Sequence, residues 1–115
     1  MSETENTSEV RVIQITGHVR VGEVLDKLRS DLEVASRDGV PRMVLNMTGV
    51  RSMDSSCIGL LVRHMTLARQ KGGALKLASV PAGAAQALQI TGILRLFEVF
   101  PQQEDAVASF AKKQT

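Results

Sequence analysis

Residues 10–16 read VRVIQIT, a β-branched run closed by Gly17, which predicts a first strand and a turn. Val10, Val12, Ile13 and Ile15 are its candidates for a core. From Val21 the period lengthens. Val21, Val24, Leu25, Leu28, Leu32 and Ala35 recur at spacings of three and four, while Glu23, Asp26, Lys27, Arg29 and Asp31 fill the other face. That pattern predicts an amphipathic helix laid on a sheet, ended by Gly39 and Pro41. Arg42–Met47 reads as a short apolar strand, followed by a loop at Thr48 and Gly49 and a further piece from Val50 to Met53. After Asp54-Ser55-Ser56 a second helical period begins. Ile58, Leu61, Val62, Met65 and Ala68 form the stripe to be buried, and Arg63, Thr66, Arg69 and Gln70 face water. Lys71-Gly72-Gly73 closes this helix. Ala74–Ser79 predicts another strand, and Pro81 opens a third helix that Gly92 stops. Leu96–Phe100 is a last short strand, and Gln102–Lys112 a last helix carrying Val107 and Phe110.

Strands alternating with helices require crossover connections. The fold class is therefore α/β, with a mixed or mainly parallel sheet of about four or five strands flanked by helices. The 115 residues suit one domain, placed at residues 9–112. A polar, acidic stretch at residues 1–8 is expected to be a flexible tail, and Lys112-Lys113-Gln114-Thr115 a frayed end. With 43% hydrophobic and 23% charged residues the chain is globular in composition, and a domain of this size folds without crosslinks.

Several function classes drop out. Cys57 is the sole cysteine, so the chain has no internal disulfide and suits a reducing cytoplasm. No apolar run approaches the roughly 20 residues of a membrane span, and the start lacks the basic and apolar regions of a secretory signal. The expected location is the cytoplasm. The net charge of +2 comes from interspersed acids and bases, with three phenylalanines as the whole aromatic content. Nucleic acid is not an expected partner. Two scattered histidines and one cysteine make no metal site, and Gly72-Gly73 has no phosphate-loop context. No cofactor is implied. Glu104-Asp105 compensates a helix dipole rather than forming an acid/base pair. Met43, Met47, Met53 and Met65 read as core filler.

The stretch from Met53 to Leu61, MDSSCIGLL, is the most informative. It places two serines where a strand ends and a helix begins. One of Asp54 and Ser55 is expected to cap the helix, leaving Ser56 to face outward. The first helical turn offers unpaired N–H groups and a partial positive charge, which favour a phosphate by about 0.3–1 kcal/mol. Phosphorylation there would add up to two negative charges to a nearly neutral surface. A partner packed on it would meet a desolvation cost and repulsion beside Asp54.

MDSSCIGLLVRHMTLARQKGGALKLASV resembles the central segment of STAS domains, the family of bacterial anti-sigma factor antagonists. Their strand leads into a D-S-[ST]-G-[LI]-G turn whose second hydroxyl residue accepts phosphate. Asp54, Ser55, Ser56, Ile58 and Gly59 match it, with Ser56 at the acceptor position. A second block, ALQITGILRLFEVFPQQEDAV from Ala87 to Val107, is similar to the family's L-x-x-x-G-[LI]-x-x-[LV]-F stretch and acidic last helix. The resemblance implies a non-catalytic domain that binds an anti-sigma factor, itself a serine kinase, and so releases a sigma factor. Phosphate on Ser56 would block binding and a phosphatase would restore it. The implied contact surface is Asp54, Ser55, Ser56, Cys57 and the exposed face of the following helix, including Arg63.

Two positions depart from the family pattern: Cys57 stands where glycine is usual, and Arg20 where many antagonists carry an acid. They keep open an alternative with the same fold and no switch, an accessory subunit of a lipid-trafficking ABC transporter or a signalling scaffold. A third reading makes Cys57 a reactive thiol at a helix N-terminus. No base is patterned beside it, because His64 lies about two turns away and His18 is remote in sequence. Neither the partner's identity nor the oligomeric state is encoded in the pattern.

Overall fold

The computed structural model describes residues 9–37 and 39–111; the tail at residues 1–8 and the end from Lys112 onward lie outside the described residues. Four strands and four helices alternate: β1 (Arg11–Val19), α1 (Glu23–Ala35), β2 (Arg42–Met53), α2 (Ser55–Gln70), β3 (Ala74–Ala78), α3 (Ala82–Ile90), β4 (Val99–Phe100) and α4 (Gln103–Ala111), with a 3₁₀ turn at Leu94–Leu96 before β4. The strands form one sheet in the order β1-β2-β3-β4, and every pairing is parallel. Each crossover therefore steps to the next strand in one direction. With right-handed connections this sends α1, α2 and α3 to the same face.

The packing agrees. Ile13, Ile15, Met43, Leu45, Met47, Leu75 and Leu77 turn one face of the sheet toward Leu25, Leu28 and Leu32 of α1, Leu61, Met65 and Ala68 of α2, and Ala84 and Leu88 of α3, in one cluster. The alternate residues Val44 and Ala78 meet Ala106 and Phe110 of α4 on the other face. Both faces of β2 are covered from Met43 to Met47, so Met43-Val44-Leu45 run apolar without alternation; the one polar residue in that stretch, Asn46, donates from its amide to Gln103 Oε1 of α4 at 2.8 Å. Lys76 shares the α4 face. Its stem is buried, and its ammonium sits 4.1 Å from the Phe110 ring centroid and donates to Ser109 Oγ at 2.7 Å.

Several expectations change. β1 is an edge strand, so Val12 is 39% exposed, and the core positions are Ile13, Ile15 and Val19; Val10 only flanks the α4 cluster. Val21 is 73% exposed because α1 starts later, at Glu23, and Val24 is also exposed. The Thr48-Gly49 segment is no loop: β2 runs unbroken to Met53. Its pairing with β1 shifts between Gln14 and Thr16 and again between Gly17 and His18, and such irregularities bend a strand without ending it. Gly49 fits there because a Cβ would lie 2.7 Å from Thr16 Cγ2. The buried stripe of α2 is Cys57, Leu60, Leu61, His64, Met65 and Ala68, with Ile58 and Val62 half-buried. The last strand shrinks to Val99–Phe100 because a 3₁₀ turn occupies Leu94–Leu96.

Candidate functional site

The junction of β2 and α2 is organised by one side chain. Asp54 is the N-cap of α2, in extended conformation. Its Oδ1 accepts the Cys57 N–H at 2.9 Å, and its Oδ2 accepts the Val21 N–H at 3.2 Å. Its own N–H donates to Val19 O at 3.1 Å. One carboxylate thus binds the helix start to the β1–α1 loop, satisfying two donors that would otherwise need water. The Cys57 N–H, with the Val21 and Ser56 amides behind it, holds the Asp54 carboxyl below the usual carboxylate range.

Ser55 and Ser56 are the first two residues of the helix, both exposed. Asp54 being the cap leaves Ser56 free of that duty, facing outward. Arg63 is exposed on the same face, two turns further along. Ser56, Gly59, Arg63 and His64 line a groove of about 230 Å³ whose other wall is Arg29 and Glu33 of α1. The groove was not legible in the sequence, because no local pattern says which residues of α1 face α2.

Cys57, expected on the contact surface, instead turns its side chain fully into the core. It lies on the face of α2 that packs against the sheet, and contributes to the junction only through its backbone N–H. Burial, with the Asp54 charge adding to it, pushes the thiol up to about 12. His64 is also buried, and its Nδ1 has no hydrogen-bond partner among the described residues. Nδ1 of His18 lies 2.8 Å from Ser52 Oγ. Among the described residues, no group of three His, Cys, Asp or Glu side chains is placed to hold a metal ion, and no helix is long and apolar enough to cross a membrane.

The family model of the STAS domain matches residues 1–106. The chain belongs to the STAS domain family. This STAS domain is 23% identical over 111 residues to the anti-sigma F factor antagonist of Paenibacillus polymyxa, covering 91% of this chain and 90% of that one. An anti-sigma-factor antagonist (STAS) domain protein from Planctomyces limnophilus superposes with a TM-score of 0.81 at 24% identity, over 91% of this chain and 93% of that one. A sulfate transporter family protein from Wolinella succinogenes gives a TM-score of 0.74 at 24% identity, over 89% and 84%.

Two predictions concern the junction of this STAS domain. The Cys57 thiol should resist a disulfide reagent at pH 8 in the native protein and react fully after denaturation. At a value of about 12 only about one thiol in ten thousand is ionised at that pH, and the sulfur is sealed besides. Rapid native labelling, followed by absorbance, would contradict the buried placement. Asp54→Ala should lower the thermal midpoint, and the gap to wild type should depend on pH. The folded-state value of Asp54 lies below the unfolded one, so its stabilisation is complete above the unfolded value. It is lost as pH falls through the lowered folded value. A gap that stayed constant from neutral pH down past the unfolded carboxylate value would contradict this.

Proposed function

We propose that this STAS domain is an anti-sigma factor antagonist, switched by phosphate on Ser56. It binds an anti-sigma factor that is also a serine kinase, phosphorylation of Ser56 breaks the complex, and a phosphatase restores it. The domain contributes surface and an acceptor hydroxyl but no catalytic group, and it works in the cytoplasm. The observation that carries this reading is the exposed Ser56 in the first turn of α2, presented by a cap that Asp54 supplies without using either serine. The contact surface is Asp54, Ser55, Ser56 and the outer face of α2 as far as Arg63.

The departure at Cys57 does not crowd the acceptor, because its side chain points into the core. Arg20 is exposed just before Val21, beside the surface a kinase would have to approach. It is the residue that favours the second reading, a non-switching accessory subunit of a transporter or scaffold. The deciding experiment is mass spectrometry of the protein and its captured partner from the native host in two growth states. Phosphate on Ser56 should vary between states, and the partner should be recovered with the unmodified form. A chain never modified at Ser55 or Ser56, with its partner bound throughout, would turn the assignment to the constitutive subunit.

A further inference from the structure

We infer that the groove between α1 and α2 is a phosphoryl subsite, in which Arg29 and Arg63 draw in the phosphate carried by Ser56 of the same chain. This rests on the reading of Ser56 as the phosphoacceptor and adds what becomes of the phosphate once it is there.

Three features converge on the groove. The first is charge. Arg63 from α2 and Arg29 from α1 line it, against the single carboxylate of Glu33. Arg29 is tethered by Asp26 at 3.0 Å, whereas Arg63 makes no ion pair among the described residues. Guanidinium groups are the preferred partners of phosphate because their planar fork matches two of its oxygens.

The second feature is direction. Ser56 and Arg63 are seven residues apart, close to two full turns and about 10 Å of rise, so they lie on one face. Helical side chains lean toward the N-terminus, which tilts the long Arg63 arm back toward Ser56. Between them stands Gly59, where an added Cβ would meet nothing within 4 Å. The helix surface between Ser56 and Arg63 is therefore open at Gly59, with Leu60 beside it in the groove wall.

The third feature is an unmet polar group. His64 lines the groove, only 4% of its surface is exposed, and Nδ1 has no partner among the described residues. A buried polar atom left without a partner calls for an explanation, and an imidazole beside an anion site supplies one. The charged groups that face it are Glu33 and Arg29 of α1 and Arg63 of its own helix. Burial lowers the His64 value, Glu33 raises it, and the two arginines lower it again. A phosphate dianion drawn in between the arginines reverses the balance around the ring and makes protonation easier.

The test needs neither kinase nor partner. Phosphoserine is installed at position 56 during translation, and the ring protons of His64 and the ³¹P resonance are followed by NMR across pH. His64→Gln assigns the signal against His18, the other histidine. The His64 midpoint is expected to rise by about one pH unit on phosphorylation, and the second ionisation of the phosphate to move down. Both shifts should shrink by more than half in Arg63→Gln, and in part in Arg29→Gln. An unmoved His64, or a shift that survives in both arginine variants, overturns the proposal. A further arm adds millimolar inorganic phosphate to Ser56→Ala. If His64 moves there but not with phosphoserine in place, the phosphate comes from solution and the assignment to Ser56 is overturned. Failure here leaves the antagonist reading intact. That reading is tested separately, by whether Ser56 is modified in the native host and whether the phosphorylated chain binds its partner less tightly than the unmodified one.

Discussion

Gly73→Ala is expected to destabilise this domain by about 2–3 kcal/mol, with failure to fold as the extreme outcome. A Cβ at Gly73 would lie 1.8 Å from Pro41 O and 2.7 Å from its carbonyl carbon. Those are backbone atoms, which cannot rotate aside as a side-chain end can. They are also committed, because Pro41 O accepts the Ala74 N–H at 2.9 Å, where β3 begins beside β2. The close approach follows from how α2 ends. Gly72 adopts a positive φ of 84°. Its N–H donates to Arg69 O, and the Gly73 N–H reaches back to Ala68 O at 2.8 Å. This is the Schellman arrangement, in which the residue after the left-handed one is drawn in tightly. Relief would require β3 to part from β2 at the centre of the sheet. Urea unfolding measures the effect, and Gly59→Ala is the control. It puts the same methyl on an open helix face and should stabilise the protein by up to about 1 kcal/mol. Equal midpoints for wild type and Gly73→Ala would refute the packing at this corner.

Gly73 also illustrates what can be read before folding. Lys71-Gly72-Gly73 is a legible helix stop, since glycine after an apolar period has a local meaning. That the second glycine abuts Pro41 is a tertiary fact with no local signature. The same division runs through the molecule. The alternation of strands and helices follows from local periods, and so did the α/β class and the parallel sheet. Exposure did not. Val12 and Val21 look like core residues, but β1 lies at the sheet edge, which only strand order reveals, and the turn before α1 runs one residue past Val21, so that the helix starts at Glu23. Thr48-Gly49 looks like a loop because a pairing irregularity and a loop share composition. Lys76 is a charged residue in the middle of β3, a strand covered on both faces. It is buried because the aromatic faces of Phe110 and Phe100, the Ser109 hydroxyl and the Glu98 carboxylate at 3.5 Å accommodate its ammonium beside α4. At the site, D-S-S before an apolar period signals a cap and leaves open which residue provides it. The answer depends on Val21, some thirty residues earlier in the chain, whose N–H claims the second oxygen of Asp54.

Ser56→Asp is expected to weaken binding to the captured partner by at least about 30-fold, while Ser56→Ala stays within about threefold of wild type. The asymmetry is the point of the comparison. Removing an exposed hydroxyl costs the complex at most one hydrogen bond. Adding a carboxylate beside Asp54, on a surface the partner must desolvate, creates a like-charge pair and an unpaired buried charge. Calorimetric titration reads both affinities. Loss of fold cannot mimic the result, because an acid in the first turn of a helix is favourable to it and Ser56 is exposed. The thermal midpoint of Ser56→Asp should match or slightly exceed that of wild type. The carboxylate carries one charge on a shorter arm than phosphoserine, so it tests repulsion at the contact surface apart from capture by Arg29 and Arg63. A Ser56→Asp chain that folds normally and binds as tightly as wild type would end the case for a switch driven by charge at Ser56. A constitutive binding role for the same surface would then be the reading left.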